Sequence, residues 1–180
     1  MKFLCFSVYV LMCSGISAQA DYAPGYILNV KGDTVKGEIK VNHKNEMEVY
    51  SKVAFREKNP GAVRQMLPAK IHGFSFDGLE YASVRLDNQW VFMQVICRGK
   101  IMFYEYKPPV ALGNERMQSQ YFLMKGGFEE MDQFFVDSKA KKHLKDYISD
   151  DKTLLKDIEA LSMDYSGLVQ TINKYNERNK

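Results

Sequence analysis

The sequence has few of the residues that bring ready-made chemistry to a protein. Its 180 residues include only three cysteines, three histidines and one tryptophan. Cys5 and Cys13 lie in the first twenty residues, which leaves Cys97 as the one cysteine of the remaining chain. A lone cysteine excludes an internal disulfide, and its place in an alternating apolar run predicts a small buried side chain. Stability must then come from an ordinary apolar core.

Recognisable catalytic and metal-binding patterns are also missing. No serine lies in a Gly-x-Ser-x-Gly elbow. The histidines, at His43, His72 and His143, lack the spacing of metal ligands. Two pairs of adjacent acids occur, Glu129-Glu130 and Asp150-Asp151, but neighbours on a strand face opposite sides, and the aspartates stand where a helix begins. The sequence predicts no metal and no cofactor, and it makes a catalytic role the less favoured interpretation.

Neither a strong charge nor a long apolar run is present. The 25 Lys and Arg residues nearly balance the 22 Asp and Glu residues, with a formal net charge of +3. Such a balance argues against nucleic acid or an anionic membrane as the partner. No segment after residue 20 is long and apolar enough to cross a bilayer as a helix, so we predict no transmembrane segment in the mature chain.

Residues 1–20 have the pattern of a secretory signal. Lys2 gives a short positive region, an apolar run follows, and Ala18-Gln19-Ala20 forms a small-x-small cleavage site before Asp21. The alternatives are an uncleaved anchor and lipid attachment at Cys13, although bulky residues precede that cysteine. Cleavage near Ala20 would place the protein outside the cytoplasm, in the periplasm or associated with the outer membrane.

Residues 21–137 are predicted to form antiparallel strands. From Ile71 to Tyr106, four runs of aromatic and β-branched residues are separated by Asp77-Gly78, Asp87-Asn88 and Arg98-Gly99, which is typical of a meander. Before it, residues 25–30 and 34–41 alternate as a hairpin around a Gly-Asp turn. The count of strands is enough to form a barrel or a sandwich.

The remaining β-type segments have weaker patterns. Residues 47–55 are predicted as a strand after a turn at His43-Lys44-Asn45, and residues 63–67 as a short extended run. Residues 118–124 are predicted as a strand, and Lys125-Gly126-Gly127 as a turn. Residues 128–137 fit neither period, so a returning strand and the start of a helix both stay open.

From Ser138 onward the apolar period changes to that of a helix. Three successive amphipathic stripes are present, with Ser138 as the expected N-cap of the first. Their apolar residues are Ala140, Leu144, Tyr147 and Ile148; Leu154, Leu155, Ile158 and Leu161; and Tyr165, Leu168, Val169, Ile172 and Tyr175. We therefore predict an α+β protein with a signal peptide (1–20), an antiparallel β-barrel or sandwich domain (21–137) and a tail of about three short helices (138–180).

The order of these pieces resembles a group of uncharacterised secreted proteins of the Bacteroidota. The resemblance is carried by Gly25-Tyr26-Ile27, by Lys31-Gly32-Asp33-Thr34, by the Phe74-x-Phe76-Asp77-Gly78 segment, by Tyr121-Phe122-Leu123, and by Lys142-x-Leu144-x-x-Tyr147-Ile148-x-Asp150 with Asn173-Lys174-Tyr175-Asn176 in the tail. It implies a β-rich exported domain with a helical tail in a Gram-negative envelope. It implies no activity and no binding residue.

Aromatic side chains are the one unusual feature that could serve a function. They recur on successive strands of the meander, and any that point outward would form a surface for sugar stacking or protein docking. Packing in the core of the sheet is the alternative. Trp90, Phe92 and Tyr104 are the candidate binding residues, and Trp90, beside the Asp87-Asn88 turn, is the one expected to be partly exposed.

Three functions follow as hypotheses from these patterns. The favoured one is a non-catalytic envelope protein that binds another envelope protein or a surface glycan. The second is an envelope hydrolase acting on glycans or peptides, with carboxylates brought together by the fold. The third is a structural module whose helical tail docks on a larger assembly.

Overall fold

The computed structural model of this chain describes residues 22–42, 45–58, 60–108, 119–126, 131–160 and 163–180. The predicted signal peptide and the predicted turn at His43-Lys44 lie outside the described residues. The strands are β1 (Tyr22–Asn29), β2 (Thr34–Lys40), β3 (Val53–Arg56), β4 (Arg64–Met66), β5 (Ile71–Phe76), β6 (Leu79–Leu86), β7 (Gln89–Cys97), β8 (Ile101–Tyr106), β9 (Gln120–Lys125) and β10 (Asp132–Phe134). The helices are α1 (Ala140–Tyr147), α2 (Lys152–Asp157) and α3 (Tyr165–Arg178), with 3-10 turns at Glu46–Tyr50, Pro68–Lys70 and Ile158–Ala160.

The ten strands form one antiparallel sheet. Its order is β10-β9-β8-β7-β6-β5-β1-β2-β3-β4, and within the described residues the two end strands, β10 and β4, are not paired with each other. The sheet is therefore open, and the three helices follow it in the chain. This confirms the predicted α+β class at the level of a sheet followed by three helices.

The meander from β5 to β8 is confirmed, because each of these strands pairs antiparallel with the next one along the chain. Asp77, Asp87 and Asn88 have φ angles of 49°, 46° and 66°, and Gly78 has a φ of 76°. Asp and Asn tolerate this left-handed region better than most residues, and two such residues in succession give the twist that a two-residue hairpin needs. Local chemistry alone therefore fixes this part of the sheet.

The predicted strand at residues 47–55 is wrong in its first half. Glu46–Tyr50 is a 3-10 helix, and the strand begins only at Val53. Met47 and Tyr50 are three residues apart and both buried, which suits a helix with three residues per turn. The Asn42 amide donates to Glu48 at 2.7 Å and ties this turn to the end of β2.

Two further expectations fall in the second half of the chain. Residues 118 and 127–130 lie outside the described residues. Residues 132–134 form strand β10, which pairs with β9, so of the two alternatives for residues 128–137 the returning strand is the correct one at these three positions.

The expected Ser138 cap of α1 is wrong. Lys139 is the cap residue, and the carboxylate of Asp137 accepts the hydrogen bond from its backbone N–H at 2.7 Å.

The sheet curls strongly upon itself. Tyr50 lies between β2 and β3, five to six strands away from β8 in the sheet order. In a flat sheet that separation would be roughly 24–29 Å, at about 4.8 Å per strand. The ring of Tyr50 nevertheless lies 5.7 Å from that of Tyr106 on β8 and 5.9 Å from that of Tyr81 on β6. Curling brings the first strands back over the meander.

Two apolar cores result, and β8 and β9 separate them. Tyr104 and Phe122 belong to the first core, which fills the curled sheet, whereas their chain neighbours Phe103 and Leu123 belong to the second core, beneath the helices. Successive residues of a strand point to opposite faces, so both faces of these two strands are covered. This explains why β8 has apolar residues at nearly every position.

The helices are fixed to the sheet by polar as well as apolar contacts. The amide of Asn176 on α3 donates to the carbonyl of Ile101 and accepts from its N–H, each at 2.8 Å, much as a neighbouring strand would. Gly99 allows this approach, since a Cβ atom there would lie 2.5 Å from the Asn176 side chain. The predicted domain boundary at residue 137 stays a prediction, and the second core spans it.

Candidate binding surfaces

Trp90 lies at the start of β7, where the β6–β7 hairpin ends, and its side chain is 51% exposed. It pairs across the hairpin with Arg85, whose guanidinium donates to the Asn88 side chain at 3.1 Å. The tight turn at Asp87-Asn88 holds the indole at the margin of the sheet, clear of the core. Its exposure agrees with the expectation from the sequence, and its role in binding stays a prediction.

Phe92 and Tyr104, the other two candidate binding residues, are buried. Phe92 is 0% exposed and meets the ring of Phe74 edge to face at 4.8 Å, while Tyr104 is 4% exposed. Both belong to the first core. The prediction that these two side chains form part of a binding surface is wrong, because the curling of the sheet covers the middle of β7 and β8. Burial also raises the pKa of the Tyr104 phenol.

Two further apolar side chains lie at the same end of the sheet as Trp90. Val30, in the β1–β2 turn, is 59% exposed, and Leu67, just before the 3-10 turn Pro68–Lys70, is 46% exposed. The His72 ring nitrogen lies 3.2 Å from the Val30 carbonyl. We call Val30, Leu67 and Trp90 the hairpin-end surface.

Backbone and side-chain contacts hold the three parts of the hairpin-end surface together. The 3-10 turn Pro68–Lys70 contacts β5, β6 and β7. Ser83 on β6 donates to the Pro68 carbonyl at 2.6 Å, and Ser83 is the cross-strand partner of Phe92, two residues from Trp90. Sequence reasoning missed Val30 and Leu67, since an isolated apolar residue in a loop gives no signal of its exposure.

The hairpin-end surface is rimmed by basic side chains. Lys31, Lys70 and Arg85 are exposed, while Asp33 and Asp87 are the acids of the adjoining turns. The Asp33 carboxylate already accepts a bond from Asn29 at 3.1 Å. Apolar side chains with a polar rim are the usual anatomy of a protein contact.

A second cluster consists of two tyrosines inside the curl and the nearby carboxylates of Glu46, which is exposed, and Glu105, which is half-buried. Tyr50 is 3% exposed and Tyr81 is 5% exposed, and their rings meet edge to face. Burial, together with the nearby carboxylates of Glu105 and Glu46, raises the pKa of Tyr81 to about 12. Burial, Tyr81 and then both carboxylates also raise the pKa of Tyr50. This is where the described part of the chain brings two acids near one set of aromatic rings.

The adjacent acids Asp150-Asp151 have structural roles, and Asp151 lies at the start of a helix, as the sequence indicates. Although burial opposes it, hydrogen bonds from Lys100, Lys125 and Tyr175 hold the pKa of Asp150 well below its usual range. The three donors lie 2.8–3.0 Å from its carboxylate. Asp151 caps α2 by accepting the Leu154 N–H at 2.9 Å. The other predicted pair, Glu129-Glu130, lies outside the described residues.

A third surface lies where β10 leads into α1. Phe135 is 60% exposed and lines a largely apolar groove of about 280 Å³ with Ala140, His143 and four charged residues of the same segment. His143 on α1 is half-buried, and its ring stacks on that of Phe134 at 5.1 Å. We call this region the β10–α1 groove.

Cys97 is buried beneath α3, as predicted. It is 1% exposed and burial raises its pKa to about 12, so its thiol is held in the unreactive neutral form.

In the described ranges, His, Cys, Asp and Glu residues nowhere gather in a group of three that could hold a metal. None of the helices in those ranges has the length and apolar character that a membrane crossing needs.

Comparisons with protein-family models, with curated proteins and with solved structures found no match to this chain. The candidate surfaces therefore rest on their own geometry.

Proposed function

We propose that this protein is a non-catalytic binding module of a bacterial envelope, and that it binds another envelope protein or a surface glycan through the hairpin-end surface. The observation that carries this proposal is the exposure of Trp90 at the end of the β6–β7 hairpin, with the exposed side chains of Val30 and Leu67 at the same end of the sheet. A large aromatic side chain costs little conformational entropy on binding, and such residues dominate the energetics of protein contacts.

The location of the protein is part of the same proposal. The apolar run and Ala-x-Ala site of residues 1–20 support export, with the mature chain in the periplasm or associated with the outer membrane. N-terminal sequencing of the protein recovered from the envelope fraction would test it. A first residue of Asp21 is expected, and an intact N-terminus on a cytoplasmic protein would contradict it.

The experiment that tests binding is cross-linking of the tagged protein in intact cells of its native host, followed by mass spectrometry. We expect a reproducible envelope partner with the wild-type protein and its loss with Trp90→Ala. Leu79→Ala is the matched control, because Leu79 is also exposed, at 38%, but lies at the other end of β6. Recovery of the same partner with Trp90→Ala would contradict the proposal. Recovery of the wild-type protein alone would exclude the protein partner and leave the surface glycan, for which loss of binding to purified envelope glycan by Trp90→Ala is the test.

A second candidate function, hydrolysis of envelope glycans or peptides, is favoured by the carboxylates of Glu46 and Glu105 beside Tyr50 and Tyr81. Two carboxylates can act as acid and base across a glycosidic bond. Release of reducing ends from purified envelope glycan should then fall with Glu105→Gln and with Glu46→Gln, and should be unchanged with Glu57→Gln on the exposed loop after β3. An inactive wild-type protein would exclude this candidate.

We also infer that the β domain is a sandwich, in which the open sheet folds over its first core. The linear order of the strands supports this form over a barrel, since the end strands β10 and β4 are not paired with each other within the described residues. Hydrogen exchange at the outer edge of β4 would distinguish them, since a barrel would protect that edge and a sandwich would leave it open.

A further inference from the structure

The β10–α1 groove lies beside an end strand of the described sheet and contains exposed apolar side chains. β10 is an end strand of the sheet and pairs only with β9 among the described strands. Immediately after it, Phe135 and Val136 are 60% and 36% exposed. Proteins usually shield an end strand, and an edge that continues into exposed apolar residues is typical of a contact between chains.

The size of the groove suits a protein side chain. Its volume of about 280 Å³ lies near the lower end of the range of roughly 300–1,000 Å³ in which ligand pockets usually fall, which is enough for one bulky side chain. Its walls are formed by Phe135, Ala140 and the half-buried ring of His143. A bulky apolar side chain entering from another chain would cover Phe135, which is 60% exposed, and the exposed part of the His143 ring.

The charges of the groove are self-complementary. Lys139 and Lys142 line it together with Asp137 and Asp146, so it carries equal numbers of each sign. A strongly acidic or basic partner would meet like charges at one end. A second copy turned about a two-fold axis places the groove of one chain against that of the other in reverse direction, which sets Lys139 opposite Asp146 of the second copy.

We propose that this protein forms a two-fold symmetric dimer through the β10–α1 groove, with Phe135 of each copy seated in the groove of the other. The contact is isologous, so both copies use the same surface and each pairwise contact occurs twice. Such an interface is closed, and no further copy can add to it. The hairpin-end surface is built from other elements, and this proposal does not depend on the function proposed above.

Sedimentation velocity of the purified protein, from about 1 to about 100 μM, tests the proposal. A concentration-dependent dimer is expected for the wild type. Phe135→Asp should weaken self-association by about tenfold or more, because it puts a charge into an apolar groove. Leu79→Asp puts the same charge at an exposed leucine outside the groove, and it should leave the dimer intact. A wild-type monomer throughout, or an unaffected Phe135→Asp dimer, would overturn the proposal.

A charge exchange separates the dimer contact from effects on folding. Lys139→Glu and Asp146→Lys should each weaken the dimer, since each brings like charges together across the axis. The double variant K139E/D146K restores both pairs and should recover the wild-type dissociation constant. Two weak single variants without rescue in the double variant would show that these residues do not face each other, and the two-fold arrangement would be wrong.

Discussion

Phe92 and Trp90 lie two positions apart on β7, yet one is 0% exposed and the other 51%. Replacing Phe92 with alanine should therefore lower the free energy of unfolding by about 3–5 kcal/mol, because it leaves a cavity among rings that cannot close over it. Urea unfolding followed by circular dichroism would measure this change.

Trp90→Ala is the matched control for that measurement, with an expected change of about 0.5 kcal/mol. Equal losses in the two variants would mean that the indole carries core packing, and the hairpin-end surface would then lose its main residue.

Tyr81 gives the fold a predictable response to alkali. Its pKa of about 12 lies above that of an unfolded tyrosine, near 10, because burial and the carboxylates of Glu105 and Glu46 disfavour the phenolate. The folded state thus prefers the neutral phenol. This contribution to stability is complete below about pH 10 and is lost as the pH rises through about 12.

Tyr81→Phe tests this response, since phenylalanine has no proton to lose. Thermal unfolding measured from pH 9 to pH 12 should show that the variant loses less stability in alkali than the wild type does. The difference should develop between about pH 10 and about pH 12. Parallel curves would show that Tyr81 ionises in the folded protein as easily as in the unfolded chain.

At the scale of single elements, α3 behaves as a partner strand for β8. Asn176→Leu should lower the free energy of unfolding by about 1–3 kcal/mol for each backbone group of Ile101 that loses its hydrogen bond. The matched control is Asn173→Leu on the exposed side of the same helix, with little change expected. Chemical denaturation of both variants would decide, and equal stability would contradict this role of the amide.

The elements that sequence analysis predicted well are those with local causes. The turn residues Asp77-Gly78 and Asp87-Asn88 mark the meander because their own conformations make the hairpins. The 3-10 helix at Glu46–Tyr50 was missed because its residues alternate like a strand, and only burial against distant strands favours the helix.

The candidate surfaces were less predictable for a similar reason. Successive residues of β7 and β8 point to opposite faces of the sheet, but the sequence does not show that both faces of β8 are covered. Phe92 and Tyr104 were therefore proposed as surface residues, whereas the exposure of Trp90 followed from its position next to a turn. The contact of Asn176 with Ile101 joins residues 75 positions apart, and no local pattern reports it.

For the whole molecule, the second core makes the β strands and the helical tail depend on each other. Removing residues 138–180 would uncover Ile101, Phe103 and Leu123, each 0% exposed in the folded chain. We expect the remaining chain to aggregate or to bind a hydrophobic dye strongly. This differs from the hypothesis of a tail that only docks on a larger assembly, under which the β domain would stay intact.

A chain that ends after Arg178 provides the control for that truncation, since it keeps α3 complete. Size-exclusion chromatography and thermal unfolding of the two truncated chains would separate the outcomes. A monomeric, cooperatively unfolding product without residues 138–180 would show that the strands fold alone.

The amide of Asn176 also sets an order of events during synthesis. A ribosome releases the strands of the meander well before it reaches α3, so the N–H and carbonyl of Ile101 have no partner from the tail while the chain grows. Until the helices fold, the apolar side chains of β8 and β9 that belong to the second core are exposed to solvent. We therefore expect a chain that stops shortly before residue 176 to be degraded in cells faster than the full-length chain, which a pulse-chase experiment would measure.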